Sequence, residues 1–231
     1  MKILGIETSG KIFSLALLED EQVLVEYNLN LGLKHSELLF PLLNQALDAT
    51  GWQISDLQGI AVDRGPGSFT GIRIGITTAR SLAQVLNIPL VGVVSLDGLT
   101  YEIPQNTFFV CPLIDALGSE VYTTFYHYQG GWRRLAPYQL AKIDTWLNQL
   151  ITYQKPFLFI GNATIVYQSK IKNILKNFAF ISENNLYPRA SSIALLGKEK
   201  LLRSERKNYT QVLPLYLRRS YAEIERAKCK V

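Results

Sequence analysis

Two short motifs hold most of the residues that could do chemistry. Gly5-Ile6-Glu7-Thr8-Ser9-Gly10 places one carboxylate ahead of two hydroxyls in a glycine-flanked turn. Such a set can hold a hydrated cation and contact nucleotide phosphates; it is also what a polar turn at a strand end looks like. Arg64-Gly65-Pro66-Gly67-Ser68-Phe69-Thr70-Gly71-Ile72-Arg73 puts three glycines around the start of a helix-like run. Free N–H groups at a helix start suit an anion, and Ser68 or Thr70 is suited to cap it. The Lys-Ser/Thr ending of a P-loop is absent, and a purely structural strand-to-helix turn explains the same residues. The rest of the inventory is thin. His35 and His127 are the only histidines, with no HxxxH or HExxH pair, so a zinc or iron site would need other ligands. No GxSxG elbow marks a nucleophilic serine. Cys111 and Cys229 are too few for a disulfide framework or a four-thiolate zinc site and read as unpaired thiols in a reducing compartment.

The elements that must position these motifs form a repeating order. Lys2–Thr8, Ile12–Leu18 and Gln22–Asn28 are three strand-length apolar runs joined by hairpin-length breaks. A helix is predicted from His35 to about Thr50, with Leu39, Leu42, Leu43, Ala46 and Leu47 on one face, Gly51 as its stop and Pro41 tolerable only near its start. A short buried strand over Gly59–Asp63 leads through the second motif into a helix over Gly71–Leu86, and Pro89–Val94 is a strand. The same order then recurs. Strands are predicted over Thr107–Asp115, Glu120–Tyr128 and Trp132–Pro137, a helix near Leu140–Tyr153, a strand at Phe157–Ile160, a helix over Val166–Lys176, a strand at Phe178–Ile181 and a helix over Ser191–Arg203. The seam falls near Thr100–Asn106, which divides the chain into halves 1–103 and 104–231, with the final helix able to pack back on the first half.

Composition agrees with a folded α/β protein. Of 231 residues, 48% are apolar and 19% charged, enough side-chain surface for a core without staples and incompatible with a disordered or collagen-like chain. The start MKILGIETSG is too short an apolar run for a signal peptide, and no stretch approaches the roughly 18–20 apolar residues of a bilayer span, so a soluble cytoplasmic protein is expected. The net charge of +5 is concentrated: Lys198–Val231 has ten basic and four acidic residues. That segment could track phosphates, but Tyr209, Tyr216 and Tyr221 are too scattered for a single-strand stacking platform, and a solvated basic face is the plainer reading.

The helix after the second motif carries Gly71, Gly75, Ala79 and Ala83 every four residues, with Ile72 and Ile76 on its flank. A stripe of small residues lets another helix approach closely. Leu39, Leu42, Leu43 and Ala46 of the preceding helix, with Gly71, Ile72, Gly75, Ala79 and Ala83, are therefore the expected partner surface.

Gly65–Gly75, read as Gly-Pro-Gly-Ser-Phe-Thr-Gly-Ile-Arg-Ile-Gly, resembles the signature of the bacterial TsaB (YeaZ) family of tRNA threonylcarbamoyladenosine biosynthesis. Ile3–Ser9, His35-Ser-Glu with Pro41, Asp115-Ala with Glu120-Val-Tyr122, Pro188–Ser191 with Gly197, and Pro214–Arg218 extend the resemblance over nearly the whole chain. It implies an α/β fold of two tandem RNase H-like, actin-like halves, as in sugar kinases and heat-shock ATPases. It further implies a non-catalytic subunit that stabilises and activates the threonylcarbamoyl transferase (TsaD type), which modifies the adenosine next to the anticodon in tRNAs reading codons that begin with A. A small P-loop ATPase (TsaE type) and tRNA belong to the same implied assembly, with ATP used by the complex and no cofactor bound by this chain alone. The paired-helix surface described above is expected to dock that transferase and to form a homodimer when the transferase is absent. In the transferase, two histidines of a Val-Asn-His-Leu-Glu-Gly-His segment hold a metal; Val93–Leu99 is the similar stretch here, with Ser95 and Leu99 at those positions. Three departures weaken an independent nucleotide site built on Glu7, Thr8, Ser9 and Gly161: Glu7 replaces the usual Asp, Leu117-Gly118 replaces a stretch that commonly contains Arg, and Gly161-Asn162-Ala163 replaces a Gly-Asp-Gly turn. The alternatives are a stand-alone actin-like ATPase or acyltransferase, a metallopeptidase, or a nucleic-acid-binding module using the basic tail.

Overall fold

The computed structural model of the chain describes residues 1–30, 32, 34–105, 108–203 and 209–218. The first half is built on five strands: β1 (Lys2–Glu7), β2 (Phe13–Glu19), β3 (Gln22–Leu29), β4 (Gly59–Asp63) and β5 (Leu90–Val93). Their order in the sheet is β3-β2-β1-β4-β5. The hairpins make β1–β2 and β2–β3 antiparallel, whereas the helical crossovers make β1, β4 and β5 parallel. Helices α1 (His35–Thr50), α2 (Phe69–Leu86) and α3 (Ser95–Tyr101) complete this half.

The second half comprises β6 (Phe109–Asp115), β7 (Glu120–Thr123), β8 (Tyr126–Tyr128), β9 (Trp132–Arg134), β10 (Gln139–Lys142), α4 (Ile143–Ile151), β11 (Phe157–Ile160), α5 (Ala163–Val166), α6 (Gln168–Leu175), β12 (Ala179–Ile181) and α7 (Ala190–Leu202). Its sheet runs β10-β7-β6-β11-β12, the order of the first sheet with β6 standing for β1. The small hairpin β8–β9 hangs on the first part of β6, through Val110 and Tyr126.

Parallel strands are buried on both faces and read as unbroken apolar runs. β4, Gly-Ile-Ala-Val-Asp, is buried throughout. One face of the first sheet is covered by α1 and α2, through Leu39, Leu43, Ala46, Ile72, Ile76 and Ala79. The other face is covered by α7, through Ala190, Ile193 and Ala194 against Ile3, Ala61 and Val93. The approach of α7 is close enough that a Cβ on Gly197 would lie 2.3 Å from the Ala61 Cβ. The chain thus ends its second half on the first sheet. Residues 209–218 go further the same way: Val212 is buried against the first core, and the Leu215 N–H donates to the Arg64 carbonyl at 2.7 Å.

Several predicted boundaries are corrected. Pro41 is the seventh residue of α1 and does not limit its start; the carbonyl it leaves without a donor belongs to Glu37, which is exposed to water. Glu120–Tyr128 is two strands broken at Thr124-Phe125, and the third strand stops at Arg134. Gln139–Lys142 pairs with β7 as β10, so the following helix begins at Ile143 and not at Leu140. Val166–Lys176 is divided between α5 and α6 at Tyr167. The predicted strand start at Thr107, the seam residue Asn106, and the tail residues Tyr221 and Cys229 lie outside the described residues. Among the described residues, no helix is long and apolar enough to cross a membrane.

Candidate functional site

Because β1 and β4 run parallel with Ile6 opposite Val62, their last residues, Glu7 and Asp63, end level with each other. Both carboxyl groups are buried. The Ser9 N–H donates to both Glu7 oxygens at 3.0 and 3.1 Å. The Ser9 hydroxyl donates to Glu7 and stands 3.2 Å from Asp63 Oδ2. On the other side, the Gly65 N–H and the Ser95 hydroxyl donate to Asp63 Oδ1 at 2.6 and 2.7 Å. Burial raises the Glu7 carboxyl well above its usual value, and the neighbouring Asp63 charge raises it further. Burial also pushes Asp63 up to about 6, against the lowering pull of its Gly65 and Ser95 donors. Both shifts favour the protonated acids, and each carboxyl accepts from one backbone N–H and one hydroxyl, Glu7 from Ser9 and Asp63 from Gly65 and Ser95.

This pair is sealed by the second motif. The Ser68 N–H donates to the Ser9 carbonyl at 2.6 Å, and a Cβ on Gly67 would lie 2.3 Å from that same oxygen. Ser68 caps α2 by accepting from the Gly71 N–H at 3.2 Å. Thr8 donates its hydroxyl to the Gly71 carbonyl at 2.8 Å. The turn after β1 thus occupies the start of α2, where an anion was one of the two expectations. As arranged, the cluster joins β1, β4, α2 and the first residue of α3 through two buried acids bridged by the Ser9 hydroxyl.

The structure brings Glu7, Thr8 and Ser9 together but not Gly161. Gly161 follows β11 in the second half, where its N–H donates to the Asn185 carbonyl and a Cβ would lie 2.3 Å from the Leu113 carbonyl. Of the expected partner surface, Leu39, Leu43, Ala46, Gly71, Ile72, Gly75, Ala79 and Ala83 are buried within the chain, and Leu42 is half-buried. The small-residue stripe is a seat for the β1 turn: a Cβ on Gly71 would fall 1.9 Å from the Thr8 carbonyl oxygen, and one on Gly75 2.4 Å from the Thr8 hydroxyl. Ala79→Leu is therefore expected to disturb the monomer core, not only an association. The outward sides of the two helices carry other residues, among them Phe40, Phe69 and Val85.

Asp63 was not singled out from the sequence. The signal was present as an acid ending an otherwise apolar strand, level with Glu7 once β1 and β4 are neighbours. Two other acids, both on or just after α3, join the halves. Asp97 accepts from the Tyr126 hydroxyl and, at 2.6 and 2.8 Å, from the Tyr138 hydroxyl. Glu102 accepts from Ser192 at 3.0 Å and from the Arg189 N–H at 3.2 Å. A metal does not fit the Val93–Leu99 stretch. Ser95 spends its hydroxyl on Asp63, and Leu99 packs with Ile103, Val110 and Ile160.

Two tandem halves of one sheet order, with carboxylates at the ends of the leading strands, define the actin-like class that includes sugar kinases. The ROK hexokinase from Thermus thermophilus superposes with a TM-score of 0.53 at 11% identity, over 87% of this chain and all of that one. YeaZ from Pseudomonas aeruginosa superposes with a TM-score of 0.78 at 25% identity, covering 94% of this chain and 99% of that one. The family model described as TsaD, tRNA N6-adenosine threonylcarbamoyltransferase, matches residues 31–226. The Bacillus subtilis protein named tRNA threonylcarbamoyladenosine biosynthesis protein TsaB is 36% identical over 227 residues, 96% of each chain. The chain belongs to the TsaB family of tRNA threonylcarbamoyladenosine biosynthesis proteins, within the broader group that the transferase model describes.

Proposed function

We propose that this chain is the non-catalytic subunit of a cytoplasmic tRNA-modifying assembly, which stabilises and activates a TsaD-type transferase. The sealed Glu7–Asp63 pair is the observation that supports this reading best. In an actin-like fold the ends of β1 and β4 are where phosphate and cation chemistry would be placed; here both acids are buried and satisfied by Ser9, Gly65 and Ser95. Ser95 and Leu99, at the positions of the transferase's metal-binding histidines, are likewise committed to the chain's own packing. ATP is then used by the assembly, with a TsaE-type ATPase, and tRNA is met through the complex.

The docking face in this reading is the outward side of α1 and α2. Phe40 is 50% exposed there, and Leu38, Leu42 and Ile74 are half-buried. The same face closes a homodimer when the transferase is absent. The test is threonylcarbamoyladenosine formation from purified components with and without this chain, and with Phe40→Asp. Loss of product in both, with Phe40→Asp folded and monomeric, is the expected result; full product without the chain overturns the reading.

A further inference from the structure

A cavity of about 750 Å³ opens between α3, the last turns of α7 and the β8–β9 hairpin. It shares no residue with the Glu7–Asp63 cluster. α3 lines it from Asp97 to Tyr101. Its size is that of a small-ligand site, within the usual range of about 300–1,000 Å³.

The lining has two characters. One wall is aromatic: Tyr128 and Trp132 meet edge to face at 5.3 Å on the hairpin, and Tyr101 lines the cavity from α3. The other is cationic: Lys200 lines it from the last turn of α7 and Arg203 from just past its end, while Arg134 adds a guanidinium 3.8 Å from the Tyr138 ring centre. The acids that line it are already committed. Asp97 accepts from two tyrosines, and Glu199 pairs with Arg203 at 3.8 Å. Among the described residues, no carboxylate lies within ion-pair distance of Arg134 or Lys200. Lys200 donates to the Gly92 carbonyl at 3.3 Å and keeps its charge; an ammonium ligand would therefore meet occupied carboxylates and the charges of Arg134 and Lys200. A flat ring carrying an anion meets stacking surface and charge of the right sign.

We infer that this cavity binds a nucleotide, its base stacked on Trp132 with Tyr128 at its edge and its phosphate held by Arg134 and Lys200, while Arg203 stays paired with Glu199. The same chemistry is offered by a free mononucleotide and by one unstacked residue of single-stranded RNA. Base–aromatic stacking of this kind tolerates any base. Among the described residues, the acids that line the cavity, Asp97 and Glu199, are both engaged. It does not depend on the transferase-partner reading, because binding is measured on this chain alone.

The full chain is titrated by calorimetry with adenosine monophosphate, adenosine, inorganic phosphate and an unstructured hexaribonucleotide. Saturable binding of the monophosphate or the hexanucleotide is expected, at least tenfold tighter than adenosine or phosphate alone. Equal affinity for the two assigns a free nucleotide; at least tenfold tighter binding of the hexanucleotide assigns an RNA segment. Trp132→Ala should weaken binding about tenfold, and so should Arg134→Ala, whose exposed side chain leaves the fold intact by circular dichroism. Lys142→Ala, outside the cavity, should change nothing. Absence of saturable binding at millimolar concentrations overturns the inference, and so does binding that survives both Arg134→Ala and Lys200→Ala.

Discussion

Replacing Gly71 by alanine separates two accounts of the small-residue stripe on α2, because they predict opposite signs. Were the stripe turned to a partner or to water, alanine would stabilise the free chain, by up to about 1 kcal/mol from helix propensity. Here the new methyl would fall 1.9 Å from the Thr8 carbonyl oxygen, where ordinary contact begins at 3.4 Å. The start of α2 must then move about 1.5 Å off the β1 turn. Neither side yields easily: the oxygen is backbone, and Thr8 is tied to Gly71 through its hydroxyl. Overpacking of this kind costs about 1–3 kcal/mol, and a backbone clash belongs at the upper end. Set against the propensity gain, the net loss is about 2 kcal/mol, or roughly 4–8 °C in Tm for a chain of this size. Thermal and urea unfolding followed by circular dichroism measure it. A companion pair sharpens the result. In Gly75→Ala the methyl meets the Thr8 hydroxyl at 2.4 Å, so Thr8→Ala should rescue Gly75→Ala by about 1–2 kcal/mol in the double variant. It should not rescue Gly71→Ala, whose clash is with the main chain. A higher Tm for Gly71→Ala, or equal rescue of both, would refute the packing described.

Three further outcomes follow from the buried polar groups. Burial raises both Glu7 and Asp63, so they retain protons in the folded chain that the unfolded chain releases near pH 4; stability falls as pH rises from about 4, through about 6 for Asp63, and the raised Glu7 adds to the fall. Each retained proton contributes a slope of about 1.4 kcal/mol per pH unit, and urea titrations of Glu7→Gln across pH 4–8 should show that slope reduced by one proton. Tyr138→Phe removes a hydrogen bond to the Asp97 carboxylate and should cost about 1.5–3 kcal/mol; Asp97→Leu should cost more, because it strands the Tyr126 and Tyr138 hydroxyls together. Cys111 is buried and its thiol is pushed up to about 12, so a thiol reagent should label it only after denaturation, as peptide mapping would show.

The first half was readable because its signals are local. Three apolar runs separated by three-residue breaks read as hairpins, and His35–Thr50 carries its own periodicity and a glycine stop, so the helix falls on those residues. The second half was less readable where tertiary pairing decides. Gln-Leu-Ala-Lys has a helix former's composition, yet residues 139–142 become a strand because β7 offers an open edge. The stripe on α2 showed that something packs close but not what; its occupant, Thr8, is 63 residues from Gly71 and is placed there by the parallel pairing of β1 and β4. The acid pair was half visible for the same reason. Glu7 sits in a polar turn that draws attention, while Asp63 ends an apolar run, and only the sheet register sets them side by side.

Reconstituted threonylcarbamoyladenosine synthesis, with a TsaD-type transferase, a TsaE-type ATPase, ATP and tRNA, tests the non-catalytic role most directly when run with wild-type chain, with Glu7→Gln and with no chain. A partner that works by docking predicts full product with wild-type and with folded Glu7→Gln, and little or none when the chain is omitted. Product formation or ATP turnover by this chain alone, abolished by Glu7→Gln, would contradict it.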